Sequence, residues 1–240
     1  MAKPGKSKFT PTVMGEWETL REIVAKRRSI ARGGDGEWKI ARGASIKSQD
    51  ADPELARRIR EVLRSDDERL LVGIPNIWSG VRLPHDKARF WAAWRNDRLT
   101  GLLEPGKLYW SAFITRPDSA PDIGGEDYWQ LMRSAWSGRQ ALLVTGSGKG
   151  QRFLAMMDNA ERADLQLAPR QNAWARYGEI LTSCLDWFAQ APDGVAILSL
   201  GPTATVLAHD LAARGCQALD LGHAACFAAK QSPKELIDEA

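Results

Sequence analysis

Apolar runs alternate with amphipathic stretches along most of the chain. Short apolar runs, typical of strands buried on both faces, occupy 70–74, 141–145 and 195–200. Apolar residues at helical spacing predict helices over 14–27, 53–64, 172–188 and 203–214. The start of the second helix has its own signal, because Asp52 is a favoured N-cap and Pro53 is favoured at the first helical position.

Weaker patterns fill the intervals between these elements. Shorter strands are predicted over 29–32, 107–114, 164–167 and 217–221, and shorter helices over 37–42, 85–95, 127–136 and 152–159. Strands that alternate with helices are typical of α/β domains. The pattern therefore predicts a single α/β domain with a mostly parallel sheet and helices on both faces.

The predicted domain occupies residues 13–230. Residues 1–12 are predicted to be a flexible basic tail, and residues 231–240 a C-terminal tail. No run of 18 apolar residues occurs, so no membrane-spanning helix is expected. The three cysteines are widely spaced, which argues against a disulfide framework and favours a reducing cytoplasm.

Charge and aromatic content add one clue. The net charge is +3, and residues 1–64 contain 15 Lys and Arg against 9 Asp and Glu. Ten tryptophans are present, and six of them lie between positions 78 and 136. Aromatic side chains interleaved with arginine suit stacking on a sugar or a base, with ordinary core packing as the alternative for most of them.

Polar or glycine-rich turns follow four of the predicted strands. In an open parallel sheet the carboxyl ends of the strands meet at one edge, where ligands bind. We therefore expect the four turns to surround one cleft, although each alone is also explained as a tight or capped turn. They are 32–37, 145–150, 200–203 and 220–223.

The first of these turns contains two carboxylates, Asp35 and Glu37, on either side of one glycine. Carboxylates this close repel each other unless a cation lies between them, and hard divalent cations take oxygen ligands together with substrate phosphates. Asp35 and Glu37 are therefore candidate metal ligands, and Arg32 is a candidate partner for a phosphate oxygen. The alternative is an acidic turn in which Asp35 caps the next helix.

The other turns carry weaker signals. The glycine-rich segment 146–150 departs from the P-loop pattern, because it lacks the first glycine and the hydroxyl residue after the lysine. The segment 201–203 places backbone N–H groups at a helix start, where a pyrophosphate binds well. His223 is a candidate metal ligand, a candidate hydrogen-bond donor to a phosphate, or a candidate proton acceptor. No GxSxG or HExxH motif supports hydrolase or protease chemistry.

Five segments, in order, resemble motifs of the GT-D-type glycosyltransferases. SIARGGDGE at 29–37 looks like that family's R-x-G-D-G-E segment, and AFITRP at 112–117 is similar to its mid-chain motif. TGSG at 145–148 and NAW at 172–174 match its glycine turn and helix start, and 198–223 matches most closely. The resemblance covers roughly 30–223 and implies a Rossmann-like GT-D fold, a nucleotide-sugar donor and an Asp-x-Glu metal motif.

The resemblance also implies roles for individual residues. Asp35 and Glu37 become ligands of Mn²⁺ or Mg²⁺, and the same two residues together with His223 become the catalytic candidates. A UDP-sugar is the donor expected. The implied donor-binding residues are Arg32, Gly33, Gly34, Arg116, Ser147, Asn172, Gly201, Thr203 and Asp220.

The predicted function is metal-dependent transfer of a sugar from a nucleotide-diphosphate sugar to an acceptor hydroxyl. Two acceptors stay open: a glycan or glycoprotein, as the family suggests, or a hydroxymethylated DNA base, as in phage-type DNA modification. The DNA acceptor is motivated by the basic N-terminal half and by the Trp- and Arg-rich segment 76–110, the expected acceptor region. A non-catalytic nucleotide- or nucleic-acid-binding module on the same fold is the alternative from another class.

Overall fold

The computed structural model describes residues 9–78, 83–92, 94, 97–146 and 150–228. Its centre is an eight-stranded sheet in which all paired strands run parallel, in the order β1-β4-β3-β2-β8-β7-β5-β6. The strands are β1 Thr12–Val13, β2 Ser29–Arg32, β3 Leu70–Ile74, β4 Leu108–Ser111, β5 Gln140–Gly146, β6 Arg162–Ala168, β7 Val195–Ser199 and β8 Gln217–Asp220. The predicted parallel α/β architecture is confirmed.

Helices cover both faces of this sheet. They are α1 Glu16–Lys26, α2 Asp35–Ala41, α3 Pro53–Arg64, α4 His85–Ala92, α5 Asp97–Thr100, α6 Glu126–Arg133, α7 Gly150–Met156, α8 Tyr177–Gln190, α9 Pro202–Ala212 and α10 Ala224–Ala228. On one face α2, α3 and α8 all contact α9, whereas α1 contacts α6 and α7 contacts α10. The connection through α1 runs from β1 to β2, and the connection through α3 runs from β2 to β3, in the opposite direction across the sheet. Because crossovers between parallel strands are right-handed, α1 and α3 lie on opposite faces.

The sequence pattern of each strand follows from this two-sided cover. All five residues of β3 are buried, as are the first four of β7, because helices pack on both sides of the central strands. In β6, at the edge of the sheet, every residue is exposed or only partly buried, and Leu165 and Leu167 are exposed. Apolar side chains of the two faces form one continuous core cluster.

Local signals fix several element boundaries. The Asp52 side chain accepts a hydrogen bond from the Leu55 N–H at 2.8 Å and Pro53 opens α3, as predicted. The strand predicted over 107–114 ends earlier, because Ser111 caps a 3₁₀ turn over Ala112–Thr115. The helix predicted over 172–188 begins as a 3₁₀ turn, Ala173–Arg176, before α8.

Some features lie outside these predictions. The short elements β1, α5 and α10 were not predicted. Of the predicted tails, residues 1–8 and 231–240 lie outside the described residues. Among the described residues, every helix is too short or too polar to cross a membrane.

Candidate active site

Arg32 and Asp220 meet at the centre of the sheet, where β2 lies beside β8. The Arg32 backbone N–H donates to Asp220 Oδ2 at 3.3 Å, and the Arg32 guanidinium Nη2 donates to Asp220 Oδ1 at 3.2 Å. The guanidinium Nε also donates to the Asp220 carbonyl at 2.5 Å. Asp220 is only 4% exposed, so this ion pair neutralises a carboxylate that water barely reaches.

The same guanidinium also donates hydrogen bonds to the segment that follows β4. Its Nη1 donates to the Ala112 carbonyl at 3.1 Å and to Thr115 Oγ1 at 2.6 Å. Four of the five N–H groups of the Arg32 guanidinium are therefore used within the protein, and Arg32 is a fixed positive charge at the base of the site. Gly222 leaves room for it, because a Cβ on Gly222 would lie 2.3 Å from Arg32 Nη2.

The two carboxylates of the Asp-x-Glu motif lie in the first turn of α2. The predicted turn is wrong here, because the turn ends at Gly34, the N-cap, and helix α2 already begins at Asp35. Glu37 Oε2 accepts the Gly34 N–H at 2.8 Å, and Asp35 Oδ2 accepts from Lys39 Nζ at 2.9 Å. Acidic side chains in a first helical turn are stabilised by the helix dipole.

Folding raises the pKa of Glu37. Burial and the nearby Asp220 carboxylate raise it from the ordinary value of 4.5 to about 7, against the lowering effect of the Gly34 N–H and Arg32. Burial also raises the pKa of Asp220, with Arg32 opposing it. The base of the site therefore contains two mutually repelling carboxylates and one fixed guanidinium, a combination that favours binding of a proton or a cation.

A cleft of about 1010 Å³ opens above these groups at the carboxyl edge of the sheet. Eight of the predicted site residues line it: Arg32, Gly34, Asp35, Glu37, Arg116, Gly201, Asp220 and His223. Three predicted donor-binding residues, Gly33, Asn172 and Thr203, are not among its lining residues. Ser147 lies outside the described residues.

Of the three residues outside the cleft wall, Gly33 and Asn172 form structural hydrogen bonds, and Thr203 is buried. The Gly33 N–H donates to the Gly73 carbonyl at 2.8 Å, in line with the β2–β3 ladder. The Asn172 side chain exchanges two hydrogen bonds with Asp50. Thr203 is fully buried in the first turn of α9. Their assignment to donor binding stays a prediction.

Arg116 lines the cleft but already has a strong partner. Its Nε and Nη2 both bond to the Asp118 carboxylate at 2.8 Å, and Lys87 Nζ lies 3.1 Å from the same carboxylate. The guanidinium also lies over the Phe227 ring, 5.6 Å from its centroid. The guanidinium of Arg116, a predicted donor-binding residue, therefore faces Asp118 in this conformation.

Sequence reasoning missed several residues of the cleft wall. Lys47 and Arg170 add positive charge from two loops, and Trp91 and Phe113, both almost fully buried, lie behind the wall beside β3 and β4. No motif marked Lys47 or Arg170, because each lies in an irregular segment next to residues of ordinary composition. The Trp-rich composition pointed to the region of Trp91, although not to that residue.

A divalent cation fits this site only with help from a ligand. Among the described residues, no group of three or more His, Cys, Asp and Glu side chains is placed to hold a metal. The contacts of Asp35 and Glu37 within the described residues leave one oxygen of each carboxylate unbonded. Mg²⁺ is commonly bound by one or two carboxylates together with substrate phosphates, so Asp35 and Glu37 suit a metal that arrives with a diphosphate.

Comparison with known proteins agrees with this architecture. Residues 30–226 match the model of the family described as "Glycosyltransferase GT-D fold". Two solved structures are similar at 30% identity. One, described as a domain of unknown function 1792 with a distinct glycosyltransferase fold, has a TM-score of 0.79 over 89% of this chain and 79% of that chain. The other, a new glycosyltransferase from Streptococcus sanguinis, has a TM-score of 0.81 over 94% of this chain and 87% of that chain.

Two curated relatives are much longer. The probable glycosyl transferase Gly of Streptococcus gordonii is 32% identical over 86% of this chain and 31% of its own length. Glycosyltransferase GlyD of Streptococcus pneumoniae serotype 4 is 30% identical over 88% of this chain and 26% of its own length. The chain thus spans less than a third of either relative. The family match covers most of the fold and the whole cleft, and the chain therefore belongs to the GT-D glycosyltransferase family.

Proposed function

We propose that this domain transfers a sugar from a nucleotide-diphosphate sugar to an acceptor hydroxyl in the cleft at the carboxyl edge of its sheet. The observation that carries the proposal is the convergence of Asp35, Glu37 and Asp220 with basic side chains in one cleft at the centre of a GT-D fold. A UDP-sugar remains the donor we expect.

The donor's diphosphate belongs near the ends of β2 and β8. Asp35 and Glu37 are the residues that would hold a divalent cation against it, and such a cation neutralises charge on the leaving nucleoside diphosphate. Arg32 contributes a positive charge that is already oriented and needs no rearrangement during the reaction. Gly201 is the N-cap of α9 and has a φ of 56°. Because it has no side chain, a phosphate can approach the backbone N–H groups at this helix N-terminus closely.

The acceptor hydroxyl must lose a proton as it attacks the anomeric carbon. His223 is exposed, lines the cleft and is our candidate for the base. It lies at the same edge as the proposed diphosphate site.

A glycan or glycoprotein is the acceptor we favour, in line with the family to which the chain belongs. The side of the cleft over β3 and β4 offers little aromatic surface, because Trp91 and Phe113 there are only 3% and 2% exposed. A hydroxymethylated DNA base and a non-catalytic binding role are outcomes that the following experiment separates.

The test is release of nucleoside diphosphate from UDP-, GDP-, CDP- and dTDP-sugars, with Mn²⁺ or Mg²⁺ and with EDTA. We expect one donor to be hydrolysed slowly without acceptor and faster with added glycan, and only with metal. Asp35→Asn and Glu37→Gln should lower this rate at least about 100-fold, as expected when charge stabilisation of the leaving group is lost. Glu61→Gln, an exposed carboxylate on α3 outside the cleft, is the matched control.

Several results would overturn parts of the proposal. Hydrolysis of no donor under any condition would favour the non-catalytic module. Acceleration by hydroxymethylated DNA and not by glycans would replace the acceptor. Full activity of both carboxylate variants in metal would remove the metal role of Asp35 and Glu37.

A further inference from the structure

Two basic side chains line the cleft and have no partner within the described part of the chain. Lys47 lies in the loop between α2 and α3, Arg170 follows β6, and both are exposed. The other two cations of the cleft wall differ, because Arg32 is paired with Asp220 and Arg116 with Asp118. Among the described residues, Lys47 and Arg170 are therefore the cations of the cleft wall most available to an incoming anion.

The loops that carry these cations are joined to each other. The Asp50 N–H donates to Asn172 Oδ1, and Asn172 Nδ2 donates to Asp50 Oδ2, both at 2.7 Å. The Asn172 N–H also donates to the Ser48 carbonyl at 2.9 Å. These contacts join segments 122 residues apart in sequence, and we call the Asn172–Asp50 pair the clasp. The clasp fixes the spacing between a loop after β6 and a loop after α2.

The backbone of Asn172 is shaped for this contact. Its φ is 53°, in the left-handed region, which asparagine tolerates better than most residues. Two residues further on, Trp174 Nε1 donates to Asp52 Oδ1 at 3.1 Å, and this bond adds a second tie to the same loop. Lys47 and Arg170 thus lie on two loops that hydrogen bonds join to each other, rather than on two independent loops.

We infer that Lys47 and Arg170 bind the diphosphate of the donor directly and that Asn172 is a positioning residue that holds them on either side of it. The inference rests on the proposed function and assigns its diphosphate contacts. A nucleoside diphosphate needs several charge-assisted hydrogen bonds, and cations whose donors are already used by carboxylates supply few of them. Lys47 offers three donors and Arg170 a planar fork.

The first test measures UDP binding by calorimetry in EDTA, so that no metal contributes. Lys47→Gln and Arg170→Gln should each weaken UDP binding about 10-fold, as loss of one charge-assisted contact predicts, and the double variant should weaken it further. Arg42→Gln and Arg176→Gln remove exposed basic residues that lie outside the cleft wall, and these controls should bind UDP as the wild type does. Inorganic pyrophosphate should compete with UDP for the wild type and lose this ability in the double variant.

The outcomes separate this inference from the proposed function. If both single variants and the double variant bind UDP as tightly as the wild type, and the wild type hydrolyses its donor, this inference is overturned and the proposed function stands. A wild type that binds no UDP, GDP, CDP or dTDP, with or without metal, would overturn the proposed function and this inference with it. Competition by pyrophosphate that persists undiminished in the double variant would place the diphosphate elsewhere in the cleft.

A second test addresses Asn172 without disturbing its backbone. Asn172→Gly keeps the left-handed conformation available and removes only the two side-chain bonds to Asp50. We expect the KM for the donor to rise more than kcat falls, because the loops that carry both cations lose their spacing. A KM equal to that of the wild type, with the loss confined to thermal stability, would make the clasp merely structural.

Discussion

Glu37 in the cleft and Asp210 between three helices are both largely shielded from water, and folding shifts their pKa values in opposite directions. Burial would raise the pKa of Asp210, but hydrogen bonds from His209, Tyr177 and Arg58 outweigh it and lower the value to about 2. At Glu37 burial and Asp220 dominate, and the pKa rises to about 7. Side-chain donors surround the Asp210 carboxylate, whereas, among the described residues, the Glu37 carboxylate accepts only from backbone N–H groups of its own turn and has a like-charged neighbour in Asp220.

The difference separates a structural carboxylate from one that we propose is functional. Asp210 on α9 bonds to Arg58 of α3 and Tyr177 of α8, so its charge joins the three helices on one face of the sheet. Within the described part of the chain, Glu37 joins no elements in this way, and it raises the energy of the folded state when it is ionised. We infer that the cleft keeps this unfavourable charge because a ligand or a proton relieves it.

Removing the charge of Asp210 should give the largest effect on stability. Asp210→Asn leaves the Arg58 guanidinium, whose side chain is 17% exposed, without its main partner, so the free energy of unfolding should fall by about 3 kcal/mol at pH 7. Urea denaturation measures this loss. Because the pKa of Asp210 is lowered from 3.8 to about 2, the loss should shrink as the pH falls from about 4 towards 2.

Glu61→Gln provides the matched comparison, because Glu61 pairs with the same arginine from an exposed position. It should change the free energy of unfolding by less than about 0.5 kcal/mol. A loss below about 1 kcal/mol for Asp210→Asn would remove the distinction between a structural and a functional carboxylate.

The fold was predictable where local chemistry and burial agree. Central strands such as β3 and β7 are apolar throughout, because helices cover both of their faces, and this pattern is visible in the sequence. The boundary at Asp52 was also predictable, because the cap and the proline act locally. The two-residue strand β1 was not, since it depends on its pairing with β4 and not on its own composition.

The site was predictable only in part, for the same reason. The strand-end turns identified Arg32 and Asp220, which the structure brings into contact across 188 residues of sequence. The roles of Lys47 and Arg170 depend on which side chains nearby are already paired, and only the three-dimensional contacts reveal that. The raised pKa of Glu37 likewise depends on Asp220 and on burial, neither of which the Asp-x-Glu spacing specifies.

Neutralising Glu37 should have a smaller effect of the opposite sign. Because the folded pKa is raised from 4.5 to about 7, ionised Glu37 destabilises the fold fully above about pH 7 and not at all below about pH 4.5. Glu37→Gln keeps an oxygen for the Gly34 N–H, so it should stabilise the metal-free protein by about 2 kcal/mol at pH 8, which is less than the full rise in pKa would give because the Glu37 side chain is partly exposed to solvent. The gain should vanish near pH 4.5, as measured by urea denaturation in EDTA. A gain that does not depend on pH would show that Glu37 is not the group that titrates.

The smallest effect should come from crowding the fixed arginine of the cleft. Gly222→Ala and Gly215→Ala both place a side chain on a left-handed backbone, with φ of 53° and 79°, and each should lose about 1 kcal/mol for that reason. Nothing lies within 4 Å of a Cβ on Gly215, whereas a Cβ on Gly222 meets Arg32 Nη2 at 2.3 Å. Displacing Arg32 from Asp220 should therefore make Gly222→Ala less stable than Gly215→Ala by about a further 1 kcal/mol. It should also lower donor affinity, which Gly215→Ala should leave unchanged. Equal stability and equal affinity of the two variants would mean that Arg32 moves without consequence, and that the cleft does not depend on where this charge is held.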